Sequence, residues 1–341
     1  MQNAIKAISI AIMATLIALI GSSGPAFSAD SKIRFTDCEG FGCKEPFELN
    51  YSTDGKSVYG TAALRVGESD PNWASMAIYK YDLSSKAATT VVPRHECTKT
   101  SAQMSIGDSR TCYVIFNPTL SPDSKKIFFG LRHYSQTMTG TDIGGNPIVS
   151  TNIKKETMSL FEFDTNVETD LSKKYQLDTV SIPWEPVAWT GKSDGIYVQS
   201  WSSIGNGGAY FLALKSSTPV KTLEPNFYYA ISRNGKYAVV KNGAKNTISI
   251  KDLKTGKTQI IRKAEFGPIY TPLNDGKNVI ALQRFGELSV INVSGKKTII
   301  SNSAGFWMSL SPDQKSVIFP KANGPDSVEL GAYISQFKLP R

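Results

Sequence analysis

With 341 residues, a formal net charge of +9, 40% hydrophobic and 20% charged residues, 27 glycines and 17 prolines, the chain has the composition of a folded, turn-rich globular protein. Those values exclude a disordered chain and a chain built mainly of membrane spans. The basic residues are scattered, which argues against nucleic acid and leaves only a preference for anionic partners such as cell-wall polymers, lipid headgroups or acidic proteins.

Residues 1–29 come first. Lys6 is the only charge before an apolar run from Ala7 to Ile20, and small residues follow from Gly21 to Ala29. This is the three-part layout of a secretory signal peptide, with cleavage expected after Ser28 or Ala29. The run is shorter than the roughly 20 residues a bilayer span requires, so cleavage is expected rather than an uncleaved anchor. The remaining 30–341 are read as one domain with a formal charge of +8 and no transmembrane segment. No cysteine precedes Cys38, which speaks against a lipid on a new amino-terminal cysteine.

Cys38, Cys43, Cys97 and Cys112 all fall after the leader, as suits an oxidising compartment. Four cysteines allow three pairings, and sequence alone does not choose among them. The short loops rich in Gly, Ser or Thr favour Cys38 with Cys43 and Cys97 with Cys112. Neither pair has the spacing of a tetrahedral zinc site, and two histidines do not complete one.

From Ser52 onward a short phrase returns six times: Ser52-Thr53-Asp54-Gly55-Lys56, Ser121-Pro122-Asp123-Ser124-Lys125, Thr190-Gly191-Lys192-Ser193-Asp194-Gly195, Ser232-Arg233-Asn234-Gly235-Lys236, Asn274-Asp275-Gly276-Lys277 and Ser311-Pro312-Asp313-Gln314-Lys315. Each lies beside apolar, alternating runs, as a tight turn between strands requires. A second phrase follows most copies, clearest as Ala77 to Lys86, Leu160 to Thr165, Ile248 to Lys257 and Leu288 to Lys296. Two hairpins per copy make a four-stranded antiparallel blade, and blades must stack to cover their faces. The turn at 194 is followed at 235, 276 and 313, close to the roughly 40 residues of an ordinary blade. The two earlier intervals, from 54 to 123 and from 123 to 194, carry insertions.

Turns that vary a Ser-Pro-Asp-Gly-Lys theme, paired with Asp-Leu-Lys-Thr-Gly-Lys, residues 252 to 257, resemble the PD40 (WD40-like) repeats of TolB-like β-propellers. The resemblance runs from about Tyr51 onward and is weakest at Gly191 to Gly195. It implies an all-β fold, a six-bladed β-propeller of four-stranded antiparallel blades, and a place beside envelope proteins. It identifies architecture more than activity. A strand near Lys32 to Thr36 is expected to close the ring against residues 332 to 339, since an unpaired terminal blade would expose a sheet edge.

The insertions at Arg65 to Ser75, Arg94 to Cys112 and His133 to Thr157 are expected to form loops on the face opposite the Ser-Pro-Asp-Gly turns. Drift of insertions without function is the competing reading. The ligand or partner residues proposed there are Arg65, Trp73, Arg94, His95, Arg132, His133 and Tyr134, with Trp184 and Trp201 from neighbouring loops of the third blade. Packing between blades is the competing reading of each tryptophan, and Trp189 and Trp307 are assigned to packing. Asp164, Asn166, Glu168 and Asp170 alternate like part of a calcium loop, but no glycine follows Glu168, so a polar hairpin turn is expected.

No G-x-S-x-G elbow occurs and the two histidines form no triad pattern, so no catalytic residue, metal or cofactor is assigned. The expected function is a non-enzymatic binding or scaffold propeller, periplasmic or secreted, that recognises an envelope or secreted protein or an anionic polymer through blades one and two. The alternative is an envelope lyase or hydrolase on an acidic glycan; convergence of Arg94, His95 and Arg132 in one pocket would mark it. A purely structural module is the third reading.

Overall fold

The computed structural model describes residues 31–33, 45–63, 77–93, 95, 97–99, 103–145, 147–177, 184–200, 208–221, 228–242, 245–265, 267–283, 286–324 and 327–340. The expected leader, the pair Cys38 and Cys43, and the insertion 65–75 lie outside them.

After the short strand β1 (Ser31–Ile33), blade one is the meander β2 (Glu45–Tyr51), β3 (Ser57–Ala63), β4 (Ile78–Asp82) and β5 (Ala88–Val92). Blade two is β6 (Ser109–Leu120), β7 (Lys126–Thr141), β8 (Pro147–Glu162) and β9 (Val167–Asp170), followed by the single-turn helix α1 (Leu171–Lys174). Blade three contains β10 (Trp184–Trp189), β11 (Gly195–Ser200), β12 (Gly208–Ala213) and β13 (Val220–Lys221), and blade four β14 (Tyr228–Ile231), β15 (Tyr237–Asn242), β16 (Thr247–Asp252) and β17 (Thr258–Ile260). Blade five is β18 (Ile269–Pro272), β19 (Asn278–Leu282), β20 (Gly286–Asn292) and β21 (Lys297–Ala304). Blade six combines β22 (Ser309–Leu310), β23 (Ser316–Gly324) and β24 (Ser327–Gln336) with β1, which lies beside β24. The earliest strand therefore completes the last blade, as closure requires. Among the described residues no helix is long and apolar enough to cross a membrane.

The ring is visible in the first strand of each blade. β2 neighbours β6, β6 neighbours β10, β10 neighbours β14, β14 neighbours β18, and β22 neighbours β2. Six hydrophobic clusters lie between successive blades. Phe129 and Ile127 face Tyr59 and Ile78 of blade one, whereas Phe128 between them faces Trp189 and Ile196 of blade three. Val239 joins Tyr270 and Val279 of blade five, while Ala238 and Val240 face Val187 and Ala188 of blade three. Ile318 packs with Leu49 and Tyr51 of blade one, and its neighbours Val317 and Phe319 pack with Ile280 and Leu282 of blade five. A strand that alternates its side chains between two buried faces must be apolar throughout, which is why the second strand of each blade reads as a continuous run. Burying each of these large side chains is worth about 1.5 to 3 kcal/mol. Trp189 and Trp307 belong to these clusters, as expected.

The repeated phrase is the turn between the first two strands. In Ser52, Ser121, Ser232 and Ser311 the hydroxyl donates to the acid or amide two residues on, at 2.6, 2.6, 2.7 and 2.7 Å, and accepts the N–H five residues on. This side-chain clamp replaces backbone pairing that so tight a turn cannot make. The second turn docks against the first in every blade: N–H groups of Leu83, Phe163, Leu214, Leu253, Val293 and Phe337 donate to the carbonyls of Lys56, Lys125, Asp194, Lys236, Lys277 and Lys315.

Those bonds correct the register of blade three. Asp194 occupies the place of Lys56, and Ser193, at φ 57°, is the counterpart of Gly55 at φ 70°. Gly191 then stands where Pro122 and Arg233 stand elsewhere. A Cβ there would lie 2.4 Å from the carbonyl oxygen of Asn234, so the phrase loses its usual residue because the next turn presses against it. The turns touch all round the axis: Thr53 hydrogen bonds Ser124, Asp123 bonds Ser193, Asn234 bonds Asn274, Asn274 bonds Gln314, and Pro312 packs on Gly55.

A second correction concerns 133–157, expected as a loop. It is a β-ribbon, because β7 and β8 stay paired from Lys126 with Glu162 to Thr141 with Pro147. The turn of the two strands comes only at 142–145.

Candidate functional site

β7 and β8 have 16 residues each, against 7 in β3. At about 3.3 Å per residue the difference carries the ribbon roughly 25 to 30 Å past the blade body, on the face opposite the ring of turns. The connection after blade one is fastened along the ribbon, from Cys112 opposite Tyr134 to the pairing with Met138. Cys97 and Cys112 form a disulfide, the Thr98 N–H donates to the Thr111 carbonyl at 2.9 Å, and Gly107 and Asp108 exchange hydrogen bonds with Met138. Exposed on this assembly are Ile106, Ile143, Ile148 and Ile153, with Ile143 fully solvent-facing at the tip. Lys154 and Lys155 follow Ile153 and are exposed as well.

The side chains proposed from sequence sit where the ribbon leaves the blade, divided between its two faces. Arg132 and His133 are neighbours in β7, so the sheet separates them. On the side of blade three, the Arg132 guanidinium is paired with Glu156, donates to the Tyr134 hydroxyl at 3.4 Å and lies over the Phe116 ring at 5.0 Å. Burial works against its charge, but Tyr134 and Glu156 outweigh burial and raise its pKa. Its cation is thus already neutralised.

On the side of blade one, the His133 ring lies edge-on to Tyr113 at 5.0 Å and its Nε2 is 3.1 Å from the Thr157 hydroxyl. Burial, with Lys155 and His95 nearby, lowers its pKa to about 4. His95 lies 5.9 Å from the Tyr113 ring, and its Nε2 is 3.1 Å from the Glu168 carboxylate. Burial alone would raise the pKa of Glu168, but bonds from His95 and Ser159 outweigh it and hold the carboxyl below its usual range. These groups form a closed polar network.

Thus Arg132 and Tyr134 come together on one face and His95 and His133 on the other. The convergence of His95 with Arg132 that would mark an acid–base site does not occur. Arg65, Trp73, Arg94 and Trp201 lie outside the described residues. Trp184, expected in a loop, opens β10 opposite Ser200. The Asp164 region is the expected hairpin turn, with Asn166 at φ 55°; beyond it Asp170 caps α1 by accepting from the Lys173 N–H at 3.0 Å. Glu156 and Glu168 were missed as partners because they follow Arg132 and His95 by 24 and 73 residues.

A separate feature lies on the axis at the end ringed by turns. A cavity of about 230 Å³ is lined by the inner strands of all six blades, with Arg233 among its walls.

No family model matches the chain, and no curated protein sequence does. Solved structures similar to it include TolB from Acinetobacter baumannii, at 15% identity and a TM-score of 0.46, covering 74% of this chain and 53% of that one. The chain thus spans about half the length of that protein. Putative TolB from Agrobacterium tumefaciens matches at 12% identity and a TM-score of 0.49, covering 85% of this chain and 90% of that one, and a chain of a nidogen/laminin complex at 10% and 0.42, covering 72% and 75%. These are likenesses of fold alone.

Proposed function

We propose that the protein is an exported, non-enzymatic binding propeller that holds an envelope or secreted protein partner by the ribbon and connections of blades one and two. The observation that supports this reading is the ribbon itself. It extends beyond the packed body, carries isoleucines where strand pairing does not require them, and is anchored at its base by a disulfide suited to an oxidising compartment. Apolar side chains on a rigid arm fit a protein surface better than an anionic polymer, while Lys154 and Lys155 favour an acidic rim on that partner.

Ile143→Ser with Ile153→Ser tests the reading by affinity capture from an envelope extract, read by identifying the proteins retained. The protein retained by the wild type is expected to be lost by the variant. Because both positions are exposed, the stability should stay within about 1 kcal/mol of wild type. Equal retention of the same protein by both forms would overturn the reading.

A further inference from the structure

The axial cavity faces the opposite way from the ribbon and contains a group that neither the fold nor the ribbon explains. Its walls come from the ends of the six inner strands nearest the turns, including Asn50 and Tyr51, Thr119 and Leu120, Val187 to Trp189, Ala230 to Arg233, Thr271, and Met308 to Leu310. Among the described residues of the wall, Arg233 alone is charged. Its blade, the fourth, stands opposite the first, and its Nη2 donates across the axis to the Tyr51 carbonyl at 3.2 Å. Among the described residues no carboxylate pairs with it.

That arrangement is costly. Arg233 is half-buried, burial lowers its pKa, and burial pushes the Tyr51 phenol up to about 12, so the cation is partly desolvated. Buried cations in a folded protein are ordinarily matched by an anion, since desolvation without a partner is unfavourable. A guanidinium presents five N–H donors in a planar fork shaped for a carboxylate, and here one carbonyl takes up part of that capacity.

The turn alignment makes the point from sequence. At the second place of the six turns stand Thr53, Pro122, Gly191, Arg233, Asn274 and Pro312. Arginine appears once. The remaining places serve turn geometry, and nothing in turn geometry requires a cation at the fourth.

We infer that the axial cavity is a binding site for a small carboxylate, with Arg233 as its anion-holding residue. Thr119, Thr271 and Ser309 give the wall polar places, and Leu120, Val187, Ile231 and Met308 give it apolar ones. The carboxylate therefore belongs to a ligand with a compact, partly apolar body. A volume of about 230 Å³ lies below the 300 to 1,000 Å³ of drug-sized pockets, which restricts the ligand to a small acid or the terminal residue of a peptide. The site does not depend on the ribbon.

Isothermal titration of the purified protein with isovalerate and with its neutral amide provides the test for a free acid. A short peptide ending in leucine, with a free carboxyl terminus or an amidated one, provides the test for a chain end. At least one of the two acids is expected to bind, its amide to bind on the order of tenfold to a hundredfold more weakly, and Arg233→Gln to reduce acid binding by a similar factor. Arg233→Lys, which keeps the charge and loses the fork, should fall between. Which acid binds identifies the source of the ligand. Because Arg233 is partly desolvated and lacks a carboxylate partner among the described residues, Arg233→Gln should melt at or above the wild-type temperature, a result a purely structural role would reverse. Failure of both acids to bind, equal binding of acid and amide, unchanged binding by Arg233→Gln, or a lowered melting temperature of that variant would overturn the inference.

Discussion

At the scale of a single residue, His133 ties stability to pH in the mildly acidic range. Its pKa of about 4 in the folded protein lies below the usual value of about 6.5, so the unfolded chain takes up its proton first as pH falls. The contribution of neutral His133 to stability is therefore complete above about pH 6.5 and is lost as pH falls through about 4. Lys155, His95 and Asp170 are the charged or titratable neighbours that act on it, the first two lowering its pKa and the last raising it. We predict that the difference in urea stability between wild type and His133→Gln changes between pH 7 and pH 4, with the wild type losing more; a constant difference would show that the ring titrates normally. The side chain was legible as a candidate from sequence because a histidine beside arginine and tyrosine is conspicuous. Its role was not, since burial and the partners on β8 and β9 depend on pairing between distant segments.

At the scale of elements, turns were legible and the ribbon was not. A turn that recurs six times declares itself through Ser, Asp and Gly in fixed order, because each of those residues performs a local hydrogen-bonding or dihedral task. Strands buried on both faces declare themselves by continuous apolar runs. Residues 139–145 and 148–155 are mostly exposed, so their sequence carries little apolar periodicity and resembles a loop. What holds the ribbon is backbone pairing and its anchored base, where Arg110, itself buried, donates to Gln136 at 2.8 Å and to the Lys99 carbonyl at 3.3 Å beneath the disulfide-linked connection. Replacing Cys97 and Cys112 together by serine releases a link spanning 15 residues, for which roughly 2 to 4 kcal/mol of stability is expected. The urea midpoint should fall accordingly, and limited proteolysis should cut first near this connection. A variant that keeps both its midpoint and its protease resistance would show that hydrogen bonds alone secure the base.

At the scale of the whole molecule, the ring closes through segments far apart in sequence. β1 lies along β24 while β2 lies beside β22, so the earliest described strand and the sheet that follows it clasp blade six from two sides. The cluster between blades one and six depends on that clasp, because Leu49 and Tyr51 reach Trp307 and Ile318 only when blade one is held against blade six. Closure of so long a loop is entropically unfavourable by an amount that grows only slowly with length, whereas the apolar area gained is that of a full blade interface. Removing residues 31–33 takes away one edge strand and leaves the row of N–H and C=O groups on β24 open to other chains. The shortened protein is expected to unfold at a lower urea concentration and to form dimers or larger species on size exclusion as its concentration rises. The two readouts separate causes: a lowered midpoint in a protein that stays monomeric would assign β1 to stability alone, and an unchanged midpoint with no association would show that blade six is complete with β22, β23 and β24.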